Sequence, residues 1–143
     1  VPVRQHGFSG GVVCGDHGGY QKNEVHAAAK INKEWAADTQ YRAYGLTAYY
    51  EASQAPFIKA LKGRGFSDAE IGTHAGLSDT SLTMALDKSL VRADLLAEGA
   101  GPANGVHGVP RKSSAALGQI GVQIIVDKSV QAIQEAIRQR GIR

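Results

Sequence analysis

Val12-Val13-Cys14-Gly15-Asp16-His17-Gly18-Gly19-Tyr20 is the stretch on which the reading of this chain turns. A short apolar run gives way to an acid and a histidine, then to two glycines, and a helical pattern starts at Tyr20 or Gln21. Residues 12–15 read as a buried strand. Ionisable side chains at the carboxyl end of a strand, beside glycines and a helix start, mark the edge where open α/β sheets bind ligands. Asp16 and His17 are therefore the first candidate site residues. Cys14 is the one cysteine, which excludes an internal disulfide framework and a cysteine-based zinc site. Its place in the apolar run predicts a buried, inert thiol.

Upstream, Gly7-Phe8-Ser9-Gly10-Gly11 fits the pattern G-x-S-x-G. A nucleophile elbow needs a strand before the serine and a helix after it. Here the strand follows, so a serine hydrolase is excluded. Residues 1–7 read as the end of a helix with Gly7 as its C-cap. The chain opens on Val1 rather than Met, and the expectation is that the front of a longer protein is missing.

Downstream, a helix is predicted to about residue 36. Val25, Ala28, Ala29, Ile31 and Trp35 give its apolar face, with Lys22, Glu24, Lys30 and Lys33 opposite. Leu46-Thr47-Ala48-Tyr49-Tyr50 is β-prone and reads as the next parallel strand. Tyr49 and Tyr50 would point to opposite faces, one of them reaching the His17 edge. Pro56 opens a helix that ends at Gly63, and Ser67-Asp68-Ala69-Glu70 is a capping box. A second polar cluster runs from Gly72 through His74 and Gly76 to Ser81. Ser78 or Asp79 is expected to cap the helix carrying Leu82, Met84, Ala85 and Leu86. Residues 91–97 resume a helical pattern, and residues 99–112 form a Gly- and Pro-rich loop able to fold over a site. Ser113 or Ser114 then caps a long helix to about residue 140, with Val126, Val130, Ile133 and Ile137 on one face.

A chain of 143 residues, 43% hydrophobic and 20% charged, is long enough for one domain with a real core. The net charge is +3, but Lys and Arg are scattered, which argues against a nucleic-acid stripe. No stretch is apolar for long enough to span a membrane, and there is no signal peptide. A cytoplasmic setting is favoured, with the periplasm or secretion left open by the missing front.

Two histidines beside glycines, His17 and His74, each have an acid close in sequence, Asp16 and Asp79. Nitrogen and oxygen ligands of this kind suit zinc, manganese or iron, and histidine is the usual acid–base group near neutral pH. The plain alternative is that His17 bonds its own turn and Asp79 caps a helix. A phosphate cradle at Gly15, Gly18 and Gly19 ranks low: the spacing is neither G-x-G-x-x-G nor a P-loop. His6, His26 and His107 read as single surface residues.

Gly15-Asp16-His17-Gly18-Gly19-Tyr20-Gln21, after a strand and opening a helix, resembles the Gly-His-Gly-Gly-Asn segment of the creatininase family. His74-Ala75-Gly76-Leu77-Ser78-Asp79-Thr80-Ser81 is similar to that family's His-Ala-Gly-x-x-Glu-Thr-Ser helix start, and Leu90-Val91-Arg92 follows as it does there. Ala115-Ala116-Leu117-Gly118-Gln119-Ile120-Gly121 before a long helix also fits. The resemblance implies an α/β/α sandwich on a mainly parallel sheet, incomplete here at its N-terminal side. It implies one or two divalent metals (zinc, manganese or iron), hydrolysis of a cyclic or linear amide C–N bond, and homo-oligomers. His17 matches a metal ligand and His74 the catalytic histidine, with Asp16 and Asp79 as further ligands or orienting carboxylates. Gly18, Gly19, Tyr20, Tyr49 and Tyr50 would line the substrate. Gly19 stands where the member that names the family has a metal-binding Glu, and Thr73 stands where it has another Glu. The family's earlier ligands, in a Glu-x-His-Gly segment and a following Asp, have no counterpart here. A companion chain carrying the missing part is the corresponding expectation. An incomplete assembly subunit and a phosphate-binding domain are the rival readings.

Overall fold

The first strand, β1, is Gly10–Val13, two residues earlier than the apolar run suggests. It pairs in parallel with β2, Arg42–Gly45, in a register running from Gly10 with Arg42 to Val13 with Gly45. A computed structural model describes residues 5–38, 40–96 and 101–139, and among these the sheet has two strands. The chain divides into two compact units, Val1–Glu51 with Ile125–Arg143, and Ala52–Ile124. Each is described by itself.

In the first unit, helix α1, Gln21–Glu34, joins the two parallel strands. This strand–helix–strand unit is the α/β character the sequence predicts, but β2 lies earlier than expected. Residues 47–50, read as strand, belong instead to helix α2, Thr47–Ser53. Hydrogen bonding, not propensity, places β2. Arg42 N–H donates to the Ser9 carbonyl at 3.3 Å and Leu46 N–H to the Val13 carbonyl at 2.8 Å, so this edge faces β1. Ala43 faces the other way, and Asn32 of α1 takes both its peptide groups. Asn32 Nδ2 donates to the Ala43 carbonyl at 2.8 Å, and Ala43 N–H donates to Asn32 Oδ1 at 2.8 Å. One side-chain amide stands in for a third strand. Gly45 then ends β2 hard against α1, where a Cβ would lie 2.9 Å from the Val25 nitrogen.

Ala28, Ile31 and Trp35 of the expected α1 face do turn inward, but Val25 and Ala29 are exposed and Glu24 is buried. Ile31 and Tyr41 pack around Ala28, Trp35 and Ala43. The last helix, Ala115–Gln139, is long as predicted, and Ser114 Oγ accepts from Leu117 N–H at its start. The apolar face expected along its second half is largely uncovered: Val126, Val130 and Ile137 are exposed. Residue 140 lies outside the described residues. None of the described helices is long and apolar enough to cross a membrane.

In the second unit, helix α3, Ala55–Lys62, carries Pro56 in its first turn, as read from sequence. Helix α4, Asp68–Ile71, has the Ser67–Glu70 capping box with both of its hydrogen bonds. Helix α5 is Leu77–Leu86, and the 25-residue final helix is α6. Phe57, Leu61, Ile71 and Leu77 form the core, with Phe66, Leu82, Leu117 and Ile120 packed on it. The loop before α6 is tied down at its far end, where Lys112 pairs with Glu70. That hydrogen bond from Lys112, with those from Ser67, holds the Glu70 carboxyl down to about 2.

Two predictions follow from these contacts. Asn32→Ala leaves both Ala43 peptide groups without a partner and should cost about 1–3 kcal/mol in chemical denaturation, and a loss near zero would show that β2 is held by something else. The folded Glu70 carboxyl titrates below its ordinary value of 4.5, so its contribution is complete above that value and is lost as pH falls through about 2. Acid unfolding followed by circular dichroism should steepen in this window, and Lys112→Met should flatten it.

Candidate functional site

Between β1 and α1 the chain makes a tight polar turn. Cys14 is exposed rather than buried, because β1 ends at Val13 and leaves it past the strand. Asp16 and His17 are exposed as well. His17 caps a single 3-10 turn, Gly18–Tyr20: its Nδ1 accepts from Gly19 N–H at 2.9 Å, and its carbonyl accepts from Tyr20 N–H at 2.9 Å. Gln21 Nε2 donates to the Gly15 carbonyl at 3.1 Å and the His17 carbonyl at 3.2 Å, closing the turn from the helix side. The His17 and Tyr20 rings lie 5.0 Å apart.

The tyrosines arrive at this turn, though from a helix and not a strand. A Cβ on Gly18 would lie 2.9 Å from Tyr50 Oη, so Tyr50 covers that glycine. Tyr49 has its phenol pKa raised by burial first, then by the nearby Asp16 carboxylate and Cys14. It stays a neutral phenol facing Asp16 at physiological pH. Asp16, His17, Gly18, Gly19, Tyr20, Tyr49 and Tyr50 thus form one group in the first unit.

Glu24 is the residue the sequence reading missed here. It is 6% exposed, yet neither carboxylate oxygen has a hydrogen-bond partner, and Gln21 Oε1 is likewise buried and unpartnered. Glu24 Oε1 lies 2.7 Å from where a Gly15 Cβ would be, so any side chain at position 15 would push the Glu24 carboxylate aside. A polar residue at helical spacing with Lys22, Lys30 and Lys33 gave no sequence signal of burial.

The second group sits in the second unit. His74 is exposed, between Gly72 and the buried Gly76. Its segment pairs antiparallel with His107: Thr73 N–H donates to the His107 carbonyl and His107 N–H to the His74 carbonyl, both at 2.8 Å. The two imidazoles meet edge to face at 5.9 Å. His107, read as a lone surface residue, is therefore the neighbour of His74, and the loop does fold over that segment. The glycines make room for it: a Cβ on Gly72 would overlap the His107 carbonyl, and one on Gly76 would lie 2.9 Å from it.

Ala75, next in the chain, has φ 48, an uncommon left-handed backbone for a residue with a side chain. Two residues of α5 hold it there. Ala75 N–H donates to Asp79 Oδ2 at 3.0 Å, and Thr80 Oγ1 donates to the Ala75 carbonyl at 3.2 Å. Gly76 is the N-cap, so Asp79 does not cap α5 as expected but reaches back from its first turn. Beside it lies a cleft of about 570 Å³, whose lining includes Ala75, Asp79, Thr83, Arg92, Leu95 and Val106. Asp79 and Arg92 give it opposite charges, with Thr80, Thr83 and Asn104 adding polar groups among aliphatic side chains.

These residues do not by themselves fit a divalent metal. Among the described residues no three His, Cys, Asp or Glu side chains come together in a way that could hold one. His17 Nδ1 is already an acceptor, which puts the proton of the neutral ring on Nε2 and leaves no lone pair free for a metal in this geometry. A phosphate fits no better at the Gly18–Tyr20 turn, because the Gly19 and Tyr20 amides are both engaged.

Residues 2–133 match the model of a protein family described as Creatininase, creatinine amidohydrolase. Comparison with curated proteins and with solved structures finds no match. The family match takes in both turns, that of Asp16 and His17 and that of His74, and runs over most of the chain. The chain belongs to the creatininase family.

Proposed function

We propose that the protein hydrolyses an amide C–N bond in a small cyclic or linear molecule, with His74 carrying a proton to the leaving nitrogen. The family match over residues 2–133 is the observation that carries this reading. The placement of His74 agrees with it. Both peptide groups around His74 are tied to His107, while no hydrogen bond among the described residues reaches its ring nitrogens. A fixed backbone with a free, exposed imidazole suits proton transfer. The adjoining cleft with Asp79 and Arg92 is of a size to take a small polar amide.

On this reading Asp16 and His17 belong to a divalent-metal centre, of zinc, manganese or iron, whose other ligands come from another chain of an oligomer or from a further segment. His17 would have to turn from Gly19 to take part. The fuller α/β/α sandwich belongs to the same proposal. A second reading is favoured by the exposed Val126, Val130 and Ile137 and by an apolar cleft of about 370 Å³ that includes Val12, Tyr44 and Ile133. It is a non-catalytic assembly subunit on the same fold.

The test is turnover of a panel of small cyclic and linear amides, read as released amine or carboxylate, with added zinc, manganese or iron(II). Activity is expected, and His74→Ala should lower kcat by about 10²–10⁴-fold with KM little changed. If no amide is turned over with any of these metals while the protein is a stable oligomer, the assembly reading replaces the enzymatic one.

A further inference from the structure

We propose that Glu24 and Gln21 hold a hard metal cation beneath the turn of Gly15, Asp16 and His17. The starting point is three buried oxygens without a donor: both carboxylate oxygens of Glu24 and the amide oxygen of Gln21. The two residues are three apart on α1 and so share one face. Their ends converge on one residue. Gln21 Nε2 lies 3.1 Å from the Gly15 carbonyl oxygen, and Glu24 Oε1 lies 2.7 Å from where a Gly15 Cβ would be. The Gln21 amide cannot be reversed without cost, because its nitrogen serves two carbonyls, of Gly15 and His17. Its oxygen is therefore the atom left over.

Among the described residues no cationic side chain pairs with these oxygens. The ion pairs among the described residues are Lys62 with Asp68 and Lys112 with Glu70, both in the other unit. One neutral donor satisfies one oxygen, whereas a cation lodged between the two side chains would serve a carboxylate and an amide oxygen together. The donor set fixes its class. Oxygen ligands with no nitrogen or sulfur disfavour zinc and suit a hard ion. A carboxylate able to bind through both oxygens, beside an amide oxygen in an irregular setting, suits calcium better than magnesium, which demands a near-ideal octahedron. The ion would tie the first turn of α1 to the exit of β1 and so fix the backbone that presents Asp16 and His17. The inference does not depend on the hydrolase reading.

Terbium(III) reports such a site directly, because Tyr20 is close enough to sensitise it: Tyr20 Cδ2 lies 3.3 Å from the same Gly15 Cβ position. Tyrosine-excited terbium luminescence should saturate at one ion per chain and be displaced by calcium with a Kd on the order of 0.1–1 mM, as for a site with one carboxylate. Glu24→Gln, which keeps the shape and removes the charge, should weaken binding by about tenfold or more. Asp68→Asn, at a carboxylate in the other unit, should leave it unchanged. Calcium should raise the Tm of the wild type and not that of Glu24→Gln. Absence of a calcium-displaceable signal in the wild type overturns the proposal whether or not the variant folds, as does equal binding by the two proteins. Either result would mean that water or a proton answers these oxygens.

Discussion

Two hydrogen bonds from one side-chain amide hold the first unit in register. A two-stranded parallel sheet has little to spare, since each strand leaves half of its peptide groups facing away from its partner. At Ala43 those groups point at α1, and Asn32 answers both the donor and the acceptor at 2.8 Å. Left unpaired at this part-buried edge, the two groups together would cost about 1–3 kcal/mol, a large share for a four-residue strand. With Ala43 pinned, Gly45 is carried against the α1 backbone at Glu24 and Val25. The exit of β1, the start of α1 and the end of β2 are thereby gathered around Gly15.

The same helix face carries Glu24, eight residues before Asn32, and the contrast between them is instructive. Both are polar side chains turned inward. The Asn32 amide is satisfied by the strand it faces, while the Glu24 carboxylate is not satisfied by anything described. Glu24 lies in the first turn of α1, where the helix dipole favours a negative charge. That effect is worth about 0.3–1 kcal/mol at a surface, and about 2 in partly buried positions. The dipole supplies no hydrogen-bond donor to the two carboxylate oxygens, so an imbalance remains. The imbalance sits directly under the turn that presents Asp16 and His17.

How much of this could be read from the chain depended on how local each cause is. The helices α1, α3 and α6 were legible because periodicity, Pro56 and the serine cap act within a few residues. The Ser67–Glu70 box was legible for the same reason. β2 was not, because Arg42-Ala43-Tyr44-Gly45 contains no β-branched residue and owes its state to Ser9, Val13 and Asn32. Tyr49 and Tyr50 had the stronger β-propensity and became helical, yet both still reach the turn. Glu24 was hidden because Val25 beside it looked like the buried residue, whereas in the first turn of α1 the charged neighbour is the one that faces inward. His107 was hidden because its partner is 33 positions away, a pairing no local pattern encodes.

The glycines around His74 illustrate how a correct observation can have a different cause. Glycines beside a histidine suggested close approach of a ligand. In the structure the approaching group at Gly72 is the peptide of His107, and at Gly76 it is that peptide together with the Ile71 carbonyl. This does not weaken the position of His74; it explains how the position is made. The backbone is clamped on one side by His107 and on the other by Ala75, itself held in a left-handed conformation by Asp79 and Thr80. A backbone conformation of that kind persists only where its surroundings over-determine it. Asp79 thus uses one carboxylate oxygen to hold the backbone next to His74. The clamp fixes the backbone and leaves the freedom in the side chain, which suits the proton-transfer role proposed for His74.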